Sequence, residues 1–341
     1  AGTRAAMNQG SPLRKREYAL PALRIGPDGH RHIDMRAVAT LALPLMLNST
    51  LQAVLNLTDT WFIGRLSTTA TAAISAVIWL SLLAMFLIGG VVMGVQALVA
   101  QAYGAGRYRR TSQMAWMGLW ASLLTIPAFV LTIVIAPWAF AHFGLQPEVE
   151  SLALSFWGPR MIGGPLAAAL WAIVAYFNGI GHTRVPLVIG AVVLVANCFL
   201  NELLIFRLDF GIAGAAWATT FAELAGVLLG ILMILRLEPN RYRPGLTWRP
   251  RAGPILAMIA LGLPMAMTAS ADLGAAALFQ LMQVRMSIVD GAATQIVTIL
   301  TSLAYMPGIG LALAGTTLVG QAIGAGDRDW AERLGNRIIM L

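Results

Sequence analysis

Apolar residues along this chain fill long unbroken stretches, separated by short polar segments, and do not alternate with polar ones at a helical or strand period. A helix needs about 20 mostly apolar residues to cross a hydrocarbon core, where every backbone polar group must bond within its own segment. Eight stretches qualify, at roughly 38–63, 72–101, 114–140, 158–180, 186–206, 211–235, 255–284 and 292–321. A ninth begins near Trp330 and runs to Leu341. The pattern predicts an all-α polytopic membrane protein. Because the ninth stretch stops short and the chain opens without a methionine, a longer protein is expected on both sides.

Composition agrees: 58% of residues are hydrophobic and 11% charged, against about 25% charged in soluble domains. A soluble enzyme, a nucleic-acid binder and a disordered chain are thereby excluded. The net charge of +8 belongs to topology, since cytoplasmic segments of membrane proteins concentrate Lys and Arg. With the N-terminus inside, 19 of the 23 basic residues fall on cytoplasmic segments, and only Arg65, Arg160, Arg207 and Arg285 on outer ones. Residues 1–36 then form a basic cytoplasmic tail, 37–235 a first lobe of six spans, 236–254 a basic, proline-containing cytoplasmic linker, and 255–341 the start of a second lobe. The lone Cys198 excludes an intrachain disulfide. HExxH, P-loop and GxSxG motifs are absent, and the four histidines lie in the tail or in loops, so an enzyme is not expected.

Leu98-Val99-Ala100-Gln101-Ala102-Tyr103-Gly104-Ala105-Gly106 recurs as Leu318-Val319-Gly320-Gln321-Ala322-Ile323-Gly324-Ala325-Gly326, an offset of 220. The same offset places Pro44 on Pro264, Arg65 on Arg285 and Gly90 on Gly310. An even number of spans separates the copies, so the halves share one orientation, related by an axis along the membrane normal, as in transporters built from parallel repeats.

A carboxylate at the centre of a span costs about 2.5–3.5 kcal/mol and needs a partner, a wet cavity or a proton. Asn48, Gln52, Asn56 and Asp59 follow at steps of four, four and three along one face of the first span, a spacing that suits a cavity wall or, as the alternative, interhelical hydrogen bonds. Asp272 follows Pro264 and Thr268 in the seventh span, with Gln280 further along a similar face. Asn197 and Asn201 share a face of the fifth span beside Glu202, and Glu223 stands in the sixth, where it serves a site or pairs with a basic residue on a neighbouring helix. Pro44 and Pro264 interrupt paired helices, leaving a carbonyl for an ion, a gate, or a plain kink.

These residues resemble the multidrug and toxic compound extrusion (MATE) transporters. The resemblance rests on Thr58-Asp59-Thr60 with Gly64, Leu98-Val99-Ala100-Gln101 with Gly104-Ala105-Gly106, Gly179-Ile180-Gly181-His182-Thr183-Arg184 with Pro186, Asn197 with Asn201, Gly211 through Thr219, and Leu263-Pro264 with Asp272. It implies two six-helix lobes, twelve helices in all, of which about four lie beyond Leu341. The implied activity is export of small organic cations by antiport with protons or sodium, without a cofactor. Asp59 and Asn197 match the cation-coupling positions of the first lobe, and Asp272 matches the acidic position of the seventh span. Asn201 departs from the aspartate found there in one branch. Small organic cations and membrane lipid are the expected partners, with no nucleic acid, a monomeric state and a bacterial inner-membrane location. A lipid-linked oligosaccharide flippase of the same superfamily is the alternative, but it would be expected to display cavity arginines where this chain places acids. A membrane receptor or enzyme would need a ligand domain or catalytic constellation not visible here.

Overall fold

The computed structural model describes residues 20–27, 29–66, 77–142, 147–237, 239–286 and 288–340, with side chains described for these except at positions 60, 149, 239, 276–278, 280–286, 288–300 and 302–303. Among the described residues, eight helices are long and apolar enough to cross a membrane. In chain order the elements are the antiparallel strands β1 (Leu23–Ile25) and β2 (Arg31–Ile33), then α1 (Met35–Gly64), α2 (Val77–Gly104), α3 (Tyr108–Ala141), α4 (Pro147–Gly179), α5 (Arg184–Asn201) and α6 (Gly211–Arg236). The short α7 (Pro239–Tyr242) and α8 (Pro244–Thr247) lead to α9 (Ala252–Met286), α10 (Ile288–Ala325) and α11 (Arg328–Ile339). The hairpin lies in the stretch expected to be a plain tail. Its three-residue strands are too short to register as a period of two.

Local chemistry sets the helix ends. The Asp34 carboxylate accepts from the amides of Arg36 and Ala37 at 2.9 and 3.3 Å, starting α1. Each copy of the repeated motif ends its helix alike: Gly106 and Gly326 take φ of 71° and 87°, and the following amides, of Arg107 and Asp327, return to the carbonyls of Ala102 and Ala322. That left-handed terminus is why the motif closes on glycine.

The halves interlock reciprocally. A Cβ on Gly90 would lie 2.6 Å from that of Ala266, and one on Gly310 would lie 2.5 Å from the Met46 backbone nitrogen. Positions 90 and 310, and 46 and 266, are related by the 220 offset, so α2 meets α9 as α10 meets α1. Pro44 and Pro264 lie just before these contacts, inside helices that run on through them. α2 crosses α10 at their C-terminal ends, where Gly104 is backed by the Gln321 backbone and Gly324 by the Gln101 backbone. Gln96 Nε2 donates to the Leu313 carbonyl at 2.8 Å and to Thr317 Oγ1 at 3.0 Å, and Gln321 Nε2 donates to the Gly179 carbonyl at 2.9 Å. Near Gly90, α2 opens into a π-turn (Met85–Gly89) and a 3-10 turn (Gly90–Val92), a distortion absent from α10.

The first lobe has its own core. Val95, Val99, Met117, Tyr176, Phe177 and Ile189 are fully or almost fully buried at its centre, and Phe129, Phe140, Trp157 and Met161 form a second cluster. This packing holds α1, α5 and α6 around the polar side chains described next.

Candidate functional site

Asp59 stands in the last two turns of α1, facing the end of α5 and the first half of α6. Its carboxylate accepts from Asn201 Nδ2 at 2.8 Å and from Thr219 Oγ1 at 3.4 Å. Asn201 Nδ2 also donates to Asn197 Oδ1 at 3.0 Å, and Asn197 Nδ2 to Thr219 Oγ1 at 3.3 Å, closing a ring of four side chains from three helices. Both asparagines are fully buried, and Asn201 Oδ1 has no hydrogen-bond partner among the described residues. The cluster therefore offers a carboxylate, two amide oxygens and a hydroxyl. That donor set suits a hard monovalent cation or a proton, and any such ion would cancel the charge that burial opposes. Without an ion, the amide and hydroxyl donors stabilise the carboxylate.

The structure brings together Asp59, Asn197 and Asn201 of the residues expected to act. Thr219 joins them, a residue within a recognised motif that sequence spacing did not single out. Of the α1 stripe, Asn48 packs against Gly190 of α5, whereas Gln52 and Asn56 are exposed. Asp272 is exposed on α9 and has no hydrogen bond among the described residues. Thr268, one turn before it, spends its hydroxyl on the Pro264 carbonyl at 3.0 Å. The Gln280 side chain lies outside the described residues. Glu202 is exposed at the start of a π-helical turn (Glu202–Arg207), away from the ring although adjacent to Asn201 in sequence.

Glu223 has the basic partner that was one of its two readings, but from an unexpected place. Arg160, assigned from the charge pattern to an outer segment, lies more than three turns inside α4, because α4 begins at Pro147 and not near residue 158. Arg160 Nη1 meets Glu223 Oε1 at 3.1 Å, with side-chain exposures of 16% and 10%. The two helices can approach because Gly163 faces Thr220, whose hydroxyl donates to the Pro159 carbonyl at 3.1 Å. Asp59 and Arg160 lie within electrostatic reach of each other, so the three charges sum to a single negative one when both acids are ionised. The arginine is thus neutralised locally and offers no free cation to a phosphate.

Removing one member of a buried pair strands the other, at a cost of about 3–5 kcal/mol. Arg160→Met alone is expected to lower the thermal unfolding temperature strongly, and Arg160→Met with Glu223→Met to recover most of the loss. Thermal unfolding of the purified variants checks this. A double variant as unstable as the two single losses combined would show that the pair does not act as a unit.

Two parallel repeated halves, spanning helices and a polar ring buried in the first half define a polytopic membrane protein of the parallel-repeat transporter architecture. The MatE family model matches residues 44–203 and 264–341, and the chain belongs to this family. It is 31% identical over 324 residues to the probable multidrug resistance protein NorM of Rhizobium meliloti, covering 90% of this chain and 67% of that protein. It is 28% identical over 325 residues to the multidrug resistance protein PmpM of Pseudomonas aeruginosa, covering 90% and 66%. A MATE solved in the bent conformation superposes with a TM-score of 0.78 at 20% identity, covering 90% of this chain and 69% of that one, which supports the fold.

Proposed function

We propose that this chain supplies the first lobe and the start of the second lobe of a multidrug exporter, which expels small organic cations in exchange for protons or sodium. The observation that carries the reading is the buried ring of Asp59, Asn197, Asn201 and Thr219, a single carboxylate held by neutral amide and hydroxyl donors. A proton or sodium ion on Asp59 removes the net charge that attracts an organic cation, so ion and drug exclude each other. Rocking of one repeat against the other then exposes the site to each side in turn. Asp272 is assigned a second role in the other lobe, attracting the cationic substrate from an exposed position on α9. The N-terminus is assigned to the cytoplasm from the distribution of basic residues. The NorM and PmpM relatives are named for multidrug resistance, and their likeness to this chain supports drugs as the substrate class.

Everted vesicles containing the full-length protein test the reading. Uptake of a cationic dye is expected under an imposed proton or sodium gradient and should collapse when that gradient is dissipated. Dye movement indifferent to both gradients would contradict antiport.

A further inference from the structure

At the end of the molecule where α1 begins, well apart from the Asp59 ring, lies an open cavity of about 480 Å³. Its walls come from two segments distant in sequence, the β hairpin and α11. The hairpin contributes Arg31 and His32, and α11 contributes Arg333, Asn336 and Arg337. Among the described residues no carboxylate lines it. The helix α11 is strongly two-faced: Trp330, Ala331, Leu334 and Ile338 are buried, which turns positions 333, 336 and 337 outward together.

The cradle is anchored. Arg31 Nη1 meets Asp327 Oδ2 at 2.8 Å, Trp330 Nε1 donates to the Pro21 carbonyl at 3.0 Å, and the Asp327 carboxylate caps α11 through the Trp330 amide at 2.9 Å. Arg31 is therefore already balanced by Asp327, whereas Arg333 and Arg337 form no ion pair among the described residues. Like charges converging in one cavity repel unless an anion sits between them. Two guanidinium groups one helical turn apart can grip a phosphate with charge-assisted hydrogen bonds.

The cavity also has an apolar margin. Ile33 and Met35, the first residue of the spanning helix α1, line it, and Met35 is 36% exposed. A soluble anion makes no use of such a margin. A phospholipid does, with its phosphate against the arginines and its acyl chains running along the start of a spanning helix. Basic cavities at the ends of spanning helices hold anionic lipid headgroups in this way.

We propose that the cradle formed by Arg31, His32, Arg333 and Arg337 binds the headgroup phosphate of an anionic phospholipid. The lipid clamps the hairpin before α1 to the helix after α10, and so joins the first half of the molecule to the second. This site is independent of the Asp59 reading, and either can fail without the other.

The test is native mass spectrometry of the full-length protein titrated with phosphatidylglycerol or phosphatidylcholine. Phosphatidylglycerol is expected to bind wild type, and Arg333→Gln with Arg337→Gln to weaken it by about tenfold or more. Removing the same charge elsewhere, with Arg109→Gln and Arg110→Gln, should leave it within about twofold, as neither side chain borders the cavity. If the double variant at 333 and 337 does not fold, salt on wild type serves instead. Raising ionic strength from about 0.1 M to about 1 M shortens screening from about 10 Å to about 3 Å and should release phosphatidylglycerol but not phosphatidylcholine. Inorganic phosphate should not displace the lipid. Equal retention in wild type and variant, salt-insensitive binding, or displacement by inorganic phosphate would each overturn the proposal.

Discussion

Replacing Gly104 and Gly324 together by alanine is expected to push α2 and α10 apart and to abolish export. A Cβ at either position collides with the backbone of the other helix, at Gln321 and at Gln101. Backbone cannot swing aside as a side chain can, so the helices must separate or lose their crossing. Overpacking of this kind costs about 1–3 kcal/mol per site, enough to invert a conformational equilibrium poised within a few kcal/mol. The molecule should then favour the arrangement open at this end. Spin labels on Arg109→Cys and Asp329→Cys, exposed positions related by the 220 offset, would report a longer distance in a Cys198→Ser background. Gly158→Ala is the control, since nothing lies within 4 Å of a Cβ there. Unchanged distances and normal export in the double alanine variant would remove the crossing from the transport cycle.

Asp59→Asn is expected to reduce gradient-driven export to the background of membranes lacking the protein, while the fold survives. The remaining amide oxygen still accepts from Asn201 Nδ2, which lies 2.8 Å from the carboxylate in the wild type. The new NH2 faces Thr219 Oγ1, which can accept because its own proton has the Ala215 carbonyl at 3.0 Å. Only the charge is lost. The variant imitates a permanently protonated site, so the exchange of drug for ion has no group on which to turn. Export retained at wild-type rates would leave Asp59 as a packing residue.

Much of this architecture was legible in the sequence, because lipid leaves so few choices. Unbroken apolar stretches gave the spans, and the repeated Gln-x-x-Gly-Ala-Gly motif gave the parallel halves. The contacts of Gly90 with Ala266 and Gly310 with Met46 are that repeat expressed in space. Asp59, Asn197 and Asn201 were legible because polar side chains in apolar helices are costly enough to be noticed. Thr219 was not, since a hydroxyl that can bond its own helix at Ala215 needs no special site. Arg160 was misplaced for a related reason. A charge depresses local hydropathy and drew the apparent start of its span toward itself, although Glu223 one helix away neutralises it. The hairpin's grip on α11 depends on contacts between residues about 300 apart, such as Arg31 with Asp327, which no local pattern reveals.

Mutual exclusion of ion and drug at Asp59 is tested most directly by equilibrium binding of a cationic dye to purified full-length wild type and Asp59→Asn, across pH and with or without sodium. Reciprocal coupling of about 1–3 kcal/mol corresponds to about 5–150-fold in affinity. In wild type, dye affinity should fall by that order as pH is lowered or sodium is added, depending on which ion couples. In Asp59→Asn it should be weak and flat under all conditions. The same ion dependence in both proteins would contradict competition at Asp59.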